Sequence, residues 1–107
     1  MKNRFGNAAI ILLATCLAAP VFAQSPGASA YNKYKCGNCH GADGLAATGM
    51  GKAMKVLSFK DPAMIKATDA QFIASTTKGK GKMPAYSTKM TAAEIKDVVS
   101  YIRTLQK

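Results

Sequence analysis

Within a single turn's worth of chain stand two thiols and an imidazole: Cys36-Gly37-Asn38-Cys39-His40. Thiols three positions apart can each add to one vinyl group of the same porphyrin, forming two thioethers. The C-x-x-C-H spacing is the attachment signature of c-type haem. The adjoining His40 is then placed to supply its imidazole as proximal ligand to the iron. Gly37 and Asn38 leave the bridge between the thiols unhindered. Two other uses of C-x-x-C fit less well. A thioredoxin-like redox site opens a helix in a βαβ context, and no strand pattern precedes Cys36. A zinc site needs a second Cys/His pair, whereas His40 is the only histidine and the third cysteine, Cys16, lies far upstream.

A haem bound by one histidine leaves a second axial position. With no second histidine, bis-histidine ligation is excluded. A lysine would first have to lose a proton. Methionine is the natural candidate, and Met50, Met54, Met64, Met83 and Met90 are available. Met83 has the best context. It follows the glycine-rich run Lys78-Gly79-Lys80-Gly81-Lys82 and precedes Pro84. A following proline pushes Met83 toward extended backbone, which can cross a haem face and aim one thioether at the iron. Forty-three positions separate it from His40, enough to wrap around the ring. Met64 reads as core filler. Met50 and Met54 could line the haem edge, and Met90, just before Thr91, suits a staple contact at a helix start.

Residues 1–23 read as a secretory signal rather than as part of the fold. Lys2 and Arg4 give a positive start, Ala8 to Ala19 an apolar run, and Val21-Phe22-Ala23 a small-x-small cleavage site after Pro20. The apolar run is too short to span a bilayer comfortably. Cys16 follows Thr15 rather than a small Gly, Ala or Ser, so it is read as removed with the signal and not as a lipidation site. Residues 24–107 then form one domain with no transmembrane segment, exported to the periplasm or an equivalent space. Two of the fifteen Lys and Arg lie in the leader, leaving thirteen against five acidic residues, a net charge of +8. Two ionised haem propionates would lower this to about +6. Such a surface favours an acidic partner or an anionic membrane face. Export and the lack of any nucleic-acid motif argue against nucleic acid.

The remaining elements read as helical. Gln24 to Ser29 is a polar lead, and a helix over Ala30 to Lys35 enters the motif with Tyr31 and Tyr34 on one face. A glycine-punctuated loop follows His40, and Met50 to Leu57 forms a short helix. Asp61-Pro62 caps and starts another. Thr68-Asp69-Ala70-Gln71 is a capping box opening a helix to about Thr77, which Gly79 ends in left-handed geometry. Thr91-Ala92-Ala93-Glu94 is a second box, and its helix carries Ile95, Val98, Val99, Ile102 and Leu105 at helical period. No strand-like alternation or internal repeat occurs. The fold class is all-α. A chain of this size buries a modest core, and a covalent haem would staple it.

Three stretches in this order resemble a class I c-type cytochrome of the small soluble bacterial kind: Cys36 through Gly44, Met83-Pro84-Ala85-Tyr86, and Thr91 through Arg103. The resemblance covers nearly all of residues 24–107. It implies a compact cytochrome c fold, with N- and C-terminal helices crossing near one covalently bound haem c. It implies thioethers from Cys36 and Cys39, axial ligation by His40 and Met83, and one-electron transfer between redox partner proteins by a monomeric carrier. Tyr101 matches the C-terminal-helix aromatic that packs at the crossing. Two positions depart from the pattern. Relatives usually carry an aromatic four residues before the first cysteine and a small residue eight before it. Here the eighth is Ala28, which is small, but the fourth is Asn32, with Tyr31 one step off. No proline lies between His40 and Pro62 to offer the carbonyl that usually orients the proximal imidazole, so another carbonyl is expected to accept that hydrogen bond.

The leading function is thus a periplasmic electron carrier that is not itself an enzyme. The alternatives are a haem c subunit of a dehydrogenase, or a sensor or peroxidase with an open sixth site. Against an enzyme, no acid/base set accompanies the motif. Lys78, Lys80 and Lys82 adjoin the expected ligand Met83 and are candidates for docking an acidic partner.

Overall fold

The computed structural model describes residues 24–107; the leader read at 1–23 lies outside the described residues. Six helices follow one another: α1 (Pro26–Lys33), α2 (Gly37–His40), α3 (Gly49–Ala53), α4 (Pro62–Lys66), α5 (Asp69–Lys78) and α6 (Ala92–Leu105). The only strand-like pairing among the described residues is an isolated bridge between Lys80 and Met83. The all-α reading holds.

Helix starts follow local chemistry. Ser25 caps α1 by accepting from the Ala28 N–H, with Pro26 at the first helical position. This start lies four residues before the Ala30 expected from the sequence, because Ser25-Pro26 is itself a start signal and not part of a polar lead. Asp61 accepts from the Ala63 N–H at 2.9 Å and opens α4. Both capping boxes form: Thr68 with Gln71 at α5, Thr91 with Glu94 at α6. The Thr91 N–H and the Tyr34 hydroxyl hold the Glu94 carboxyl below its usual range. The helix expected over Met50 to Leu57 stops at Ala53, where Lys55 turns to positive φ. Gly79 ends α5 with φ 76° and ψ 164°, positive φ but extended rather than the left-handed helical turn expected.

The end of α1 resolves the register of Tyr31. The Lys35 N–H donates to Asn32 O (3.2 Å) and the Cys36 N–H to Tyr31 O (3.1 Å). Lys35 sits between them at φ 57°. This is a Schellman motif with lysine in the left-handed position usually given to glycine. It absorbs one extra residue between the helix and the first cysteine. The aromatic expected four residues before Cys36 is therefore Tyr31, five before it, and the small residue expected eight before it is Gly27.

Helix α1 crosses α6, and α5 packs against α6. At the crossing a side chain on Gly27 would collide with the Asp97 carbonyl oxygen and come within 2.7 Å of Tyr101 Cβ, so glycine alone permits this approach. Tyr31 meets Tyr101 edge to face, with ring centroids 5.3 Å apart. The α6 stripe of Ile95, Val98, Val99 and Ile102 is buried against Ala30, Tyr31, Phe59, Phe72 and Met90. Each fully buried aliphatic side chain contributes about 1.5–3 kcal/mol. Met90, just before the Thr91 cap, joins Ile95 in this cluster, as a staple should. Arg103 ties α6 to α5 by pairing with Asp69 (2.9 Å), donating to Ala67 O and lying over the Phe72 ring.

Candidate haem-attachment site

The Schellman turn delivers Cys36 to the N-cap of α2, and Cys39 and His40 follow on the same helical turn. The His40 N–H donates to Cys36 O at 3.0 Å, which closes the turn. Both thiols are free and half-buried. Burial pushes the Cys36 thiol up. Burial also lowers the His40 imidazole, favouring the neutral ring that a metal ligand requires.

A short helix ends in carbonyls that its own backbone cannot satisfy. Here each finds a partner from outside. The Thr48 hydroxyl donates to Asn38 O (2.8 Å) and Cys39 O (3.2 Å), the Ala46 N–H to His40 O (2.8 Å), and the Tyr31 hydroxyl to Gly41 O (2.6 Å). The motif's backbone is thus fixed by α1 on one side and by the 46–48 loop on the other. Thr48 was not singled out in the sequence, although its place before Gly49 marks it as the cap of α3.

The His40 ring differs from expectation. Its Nδ1 is buried and has no hydrogen-bond partner, so no carbonyl takes the place of the missing proline's. Instead the ring stacks on Phe59, with centroids 4.7 Å apart and planes 14° from parallel. Phe59 carries no motif, and nothing in the sequence marks it.

Met83 lies on a separate, constrained segment. Lys80 and Met83 exchange both backbone hydrogen bonds (3.1 and 3.0 Å) around Gly81-Lys82, with Gly81 at φ 58°. Beyond Pro84, the Tyr86 and Ser87 N–H groups donate to Thr76 O and Thr77 O at the end of α5. Tyr86 packs edge-on to Tyr34, ring centroids 6.4 Å apart. Burial raises its phenol, and Cys36 and Cys39 raise it further. The Met83–Tyr86 segment therefore passes beside the cysteine turn. Met83 is half-buried there, while Met64 and Met90 pack on the core and Met50 is 50 % exposed.

The residues fit a covalently held haem better than a bare metal. Among the described residues, no group of three or more His, Cys, Asp or Glu could hold a metal ion. The family model described as "Cytochrome C oxidase, cbb3-type, subunit III" matches residues 22–102. The chain belongs to this family of c-type cytochromes. Among solved structures it is similar to one described as "KustC0563 c-type cytochrome", at 29 % identity and TM-score 0.69, covering 76 % of this chain and 98 % of that one. No curated protein matches. This c-type cytochrome is an electron-transfer haem protein with covalently bound haem c, and redox proteins are its partners. No helix among the described residues is long and apolar enough to cross a membrane.

Proposed function

We propose that the protein is an exported one-electron carrier, monomeric, with its signal removed after Ala23 and residues 24–107 forming one haem domain. Cys36 and Cys39 hold the porphyrin through thioethers, and His40 and Met83 are the axial ligands. When bound, the haem supplies a one-electron ferric/ferrous couple. The chain's own residues hold that group and exclude water from it, and no substrate chemistry is assigned to them.

The observation that carries this reading is the pairing of Tyr34 with Tyr86. It brings the tied Met83 segment beside the turn bearing Cys36, Cys39 and His40. Burial favours the neutral His40 imidazole, ready to ligate. Leu45 and Met50, 43 % and 50 % exposed on the loop and helix that follow the motif, offer apolar surface for a porphyrin.

The test is spectroscopy on protein exported by a host with working haem-attachment machinery. Haem stain should travel with the polypeptide through denaturing electrophoresis, and changing Cys36 and Cys39 to Ser should abolish this. The oxidised protein should be low-spin and show the weak far-red band of a sulfur–iron bond. Colourless protein would refute the reading. Ready carbon monoxide binding by the reduced form would replace it with an open-site sensor or peroxidase.

A further inference from the structure

We infer that Phe59 is the positioning residue for the His40 imidazole, holding the ring by stacking where no acceptor reaches Nδ1. The inference rests on His40 as proximal ligand.

A ligating imidazole needs its rotation about the Cβ–Cγ bond fixed, and the usual device is a hydrogen bond from the ring nitrogen that does not bind metal. With Nε2 taken as the ligating nitrogen in this proposal, the other, Nδ1, is buried and without a partner. The ring has instead a nearly parallel neighbour at stacking distance. Two stacked aromatic rings attract each other beyond the area they bury, and the stack constrains tilt without drawing on the Nδ1 proton.

Phe59 is itself held on every side. It is 2 % exposed. Its N–H donates to Gly44 O (2.9 Å), and Gln106 Nε2 at the end of α6 donates to its carbonyl (2.9 Å). Phe72 meets its ring edge-on at 6.2 Å. Gly44 lies beneath: a Cβ there would come within 2.7 Å of Phe59 Cδ2. Gly44 and Gln106 thus pin the ring that pins the imidazole. There is an electronic consequence. A hydrogen bond from Nδ1–H raises the basicity of the ligating nitrogen. Without it, His40 would be a weaker donor to a bound iron and would favour the ferric state less.

The test uses the holoprotein. In the reduced, diamagnetic wild type, NMR should find the His40 Nδ1–H without scalar coupling to any carbonyl carbon. In the oxidised state, the spread and order of the hyperfine-shifted haem-methyl resonances report the orientation of the axial ligands. Phe59→Leu, which keeps apolar volume but removes the stack, should change that pattern while the far-red sulfur–iron band persists. Phe59→Tyr, which keeps the ring, should restore it. An unchanged methyl pattern in Phe59→Leu with the band intact overturns the inference alone, as does coupling from Nδ1–H to a carbonyl in the wild type. A wild type lacking the low-spin spectrum overturns the ligation reading and the inference with it. Should Phe59→Leu yield no holoprotein, the wild-type NMR result decides.

Discussion

The Tyr31 hydroxyl donates to the Gly41 carbonyl oxygen at 2.6 Å, joining the contact between α1 and α6 to the residue after His40. One side chain thus does two things. Its ring packs against Tyr101, and its oxygen fixes the exit of the C-x-x-C-H turn.

Tyr31→Phe keeps the ring and strands the Gly41 acceptor. Leaving a buried acceptor unsatisfied costs about 1–3 kcal/mol, so the unfolding free energy should fall by that amount, read as a lower denaturation midpoint at unchanged slope, with haem still attached. The variant should also change the alkaline limb. Burial holds the Tyr31 phenol well above its usual 10. The unfolded phenol ionises near that value while the native one does not. Its contribution is therefore complete below pH 10 and declines as pH rises above it. Stability of Tyr31→Phe should fall less steeply there, as measured by denaturant titration across that range.

Lys35 occupies a left-handed position, φ 57°, that closes α1 onto Cys36. A side chain in left-handed geometry costs about 1–2 kcal/mol relative to glycine. Glycine gives back part of this through its larger unfolded-state entropy. Lys35→Gly should raise stability by up to about 1 kcal/mol, seen as a higher thermal midpoint of the holoprotein. A lower midpoint would mean that the lysine side chain has a role of its own.

Lys35 also marks the limit of what the sequence discloses. Thr68 with Gln71 and Thr91 with Glu94 are local devices, spelled out within four residues, and both boxes form as read. The stripe from Ile95 to Ile102 is equally local in its period and lies in the core. The Schellman turn carries no such spelling, because its left-handed residue is a lysine where glycine is the usual sign. Once that residue is placed, the aromatic at the crossing is Tyr31 and the close-approach residue is Gly27, and the apparent departure from the family pattern disappears. The stack of Phe59 on His40 was hidden for another reason. It joins residues nineteen positions apart through a loop whose path depends on Gly44 and on Gln106 at the far end of the chain. No short window contains that information.

Met83, the proposed ligand, and Met64, read as filler, stand in different settings. Met83 stands on the hairpin tied by Lys80, whereas Met64 packs on the core cluster. Met83→Ala should abolish the far-red band and open the iron to carbon monoxide. Met64→Ala should keep the band and lose roughly 2 kcal/mol of stability, the low end for truncating a buried methionine because this one is only partly buried. Absorption spectra and thermal melts on the two variants check both halves. Loss of the band from Met64→Ala instead would exchange the assignments.

The surface charge bears on where a partner docks. Arg103 and Asp69 form the only ion pair among the described residues. Other carboxylates are engaged in backbone capping: Asp43 accepts from Leu45, Asp61 from Ala63 and Glu94 from Thr91. The lysines are therefore left largely uncompensated. Lys78, Lys80 and Lys82 are exposed around the turn that the Lys80–Met83 hydrogen bonds fix immediately before the proposed ligand. Charge held there can steer an acidic redox partner toward the proposed haem site, an effect that salt screens over about 8 Å at physiological ionic strength. Changing all three to Gln should slow bimolecular electron transfer at low salt and flatten its salt dependence. It should leave the far-red band and the reduction potential nearly unmoved, since solvated charges perturb the iron weakly. The exposed set Lys66, Lys96 and Lys107, on α4, α6 and the C-terminus, removes the same net charge from other elements. Stopped-flow mixing with an acidic redox protein at several salt concentrations compares the two. A larger loss from the first triple supports local docking. Equal losses point to diffuse net charge, and an unchanged rate after the first triple reduces the 78–82 turn to a solvated loop.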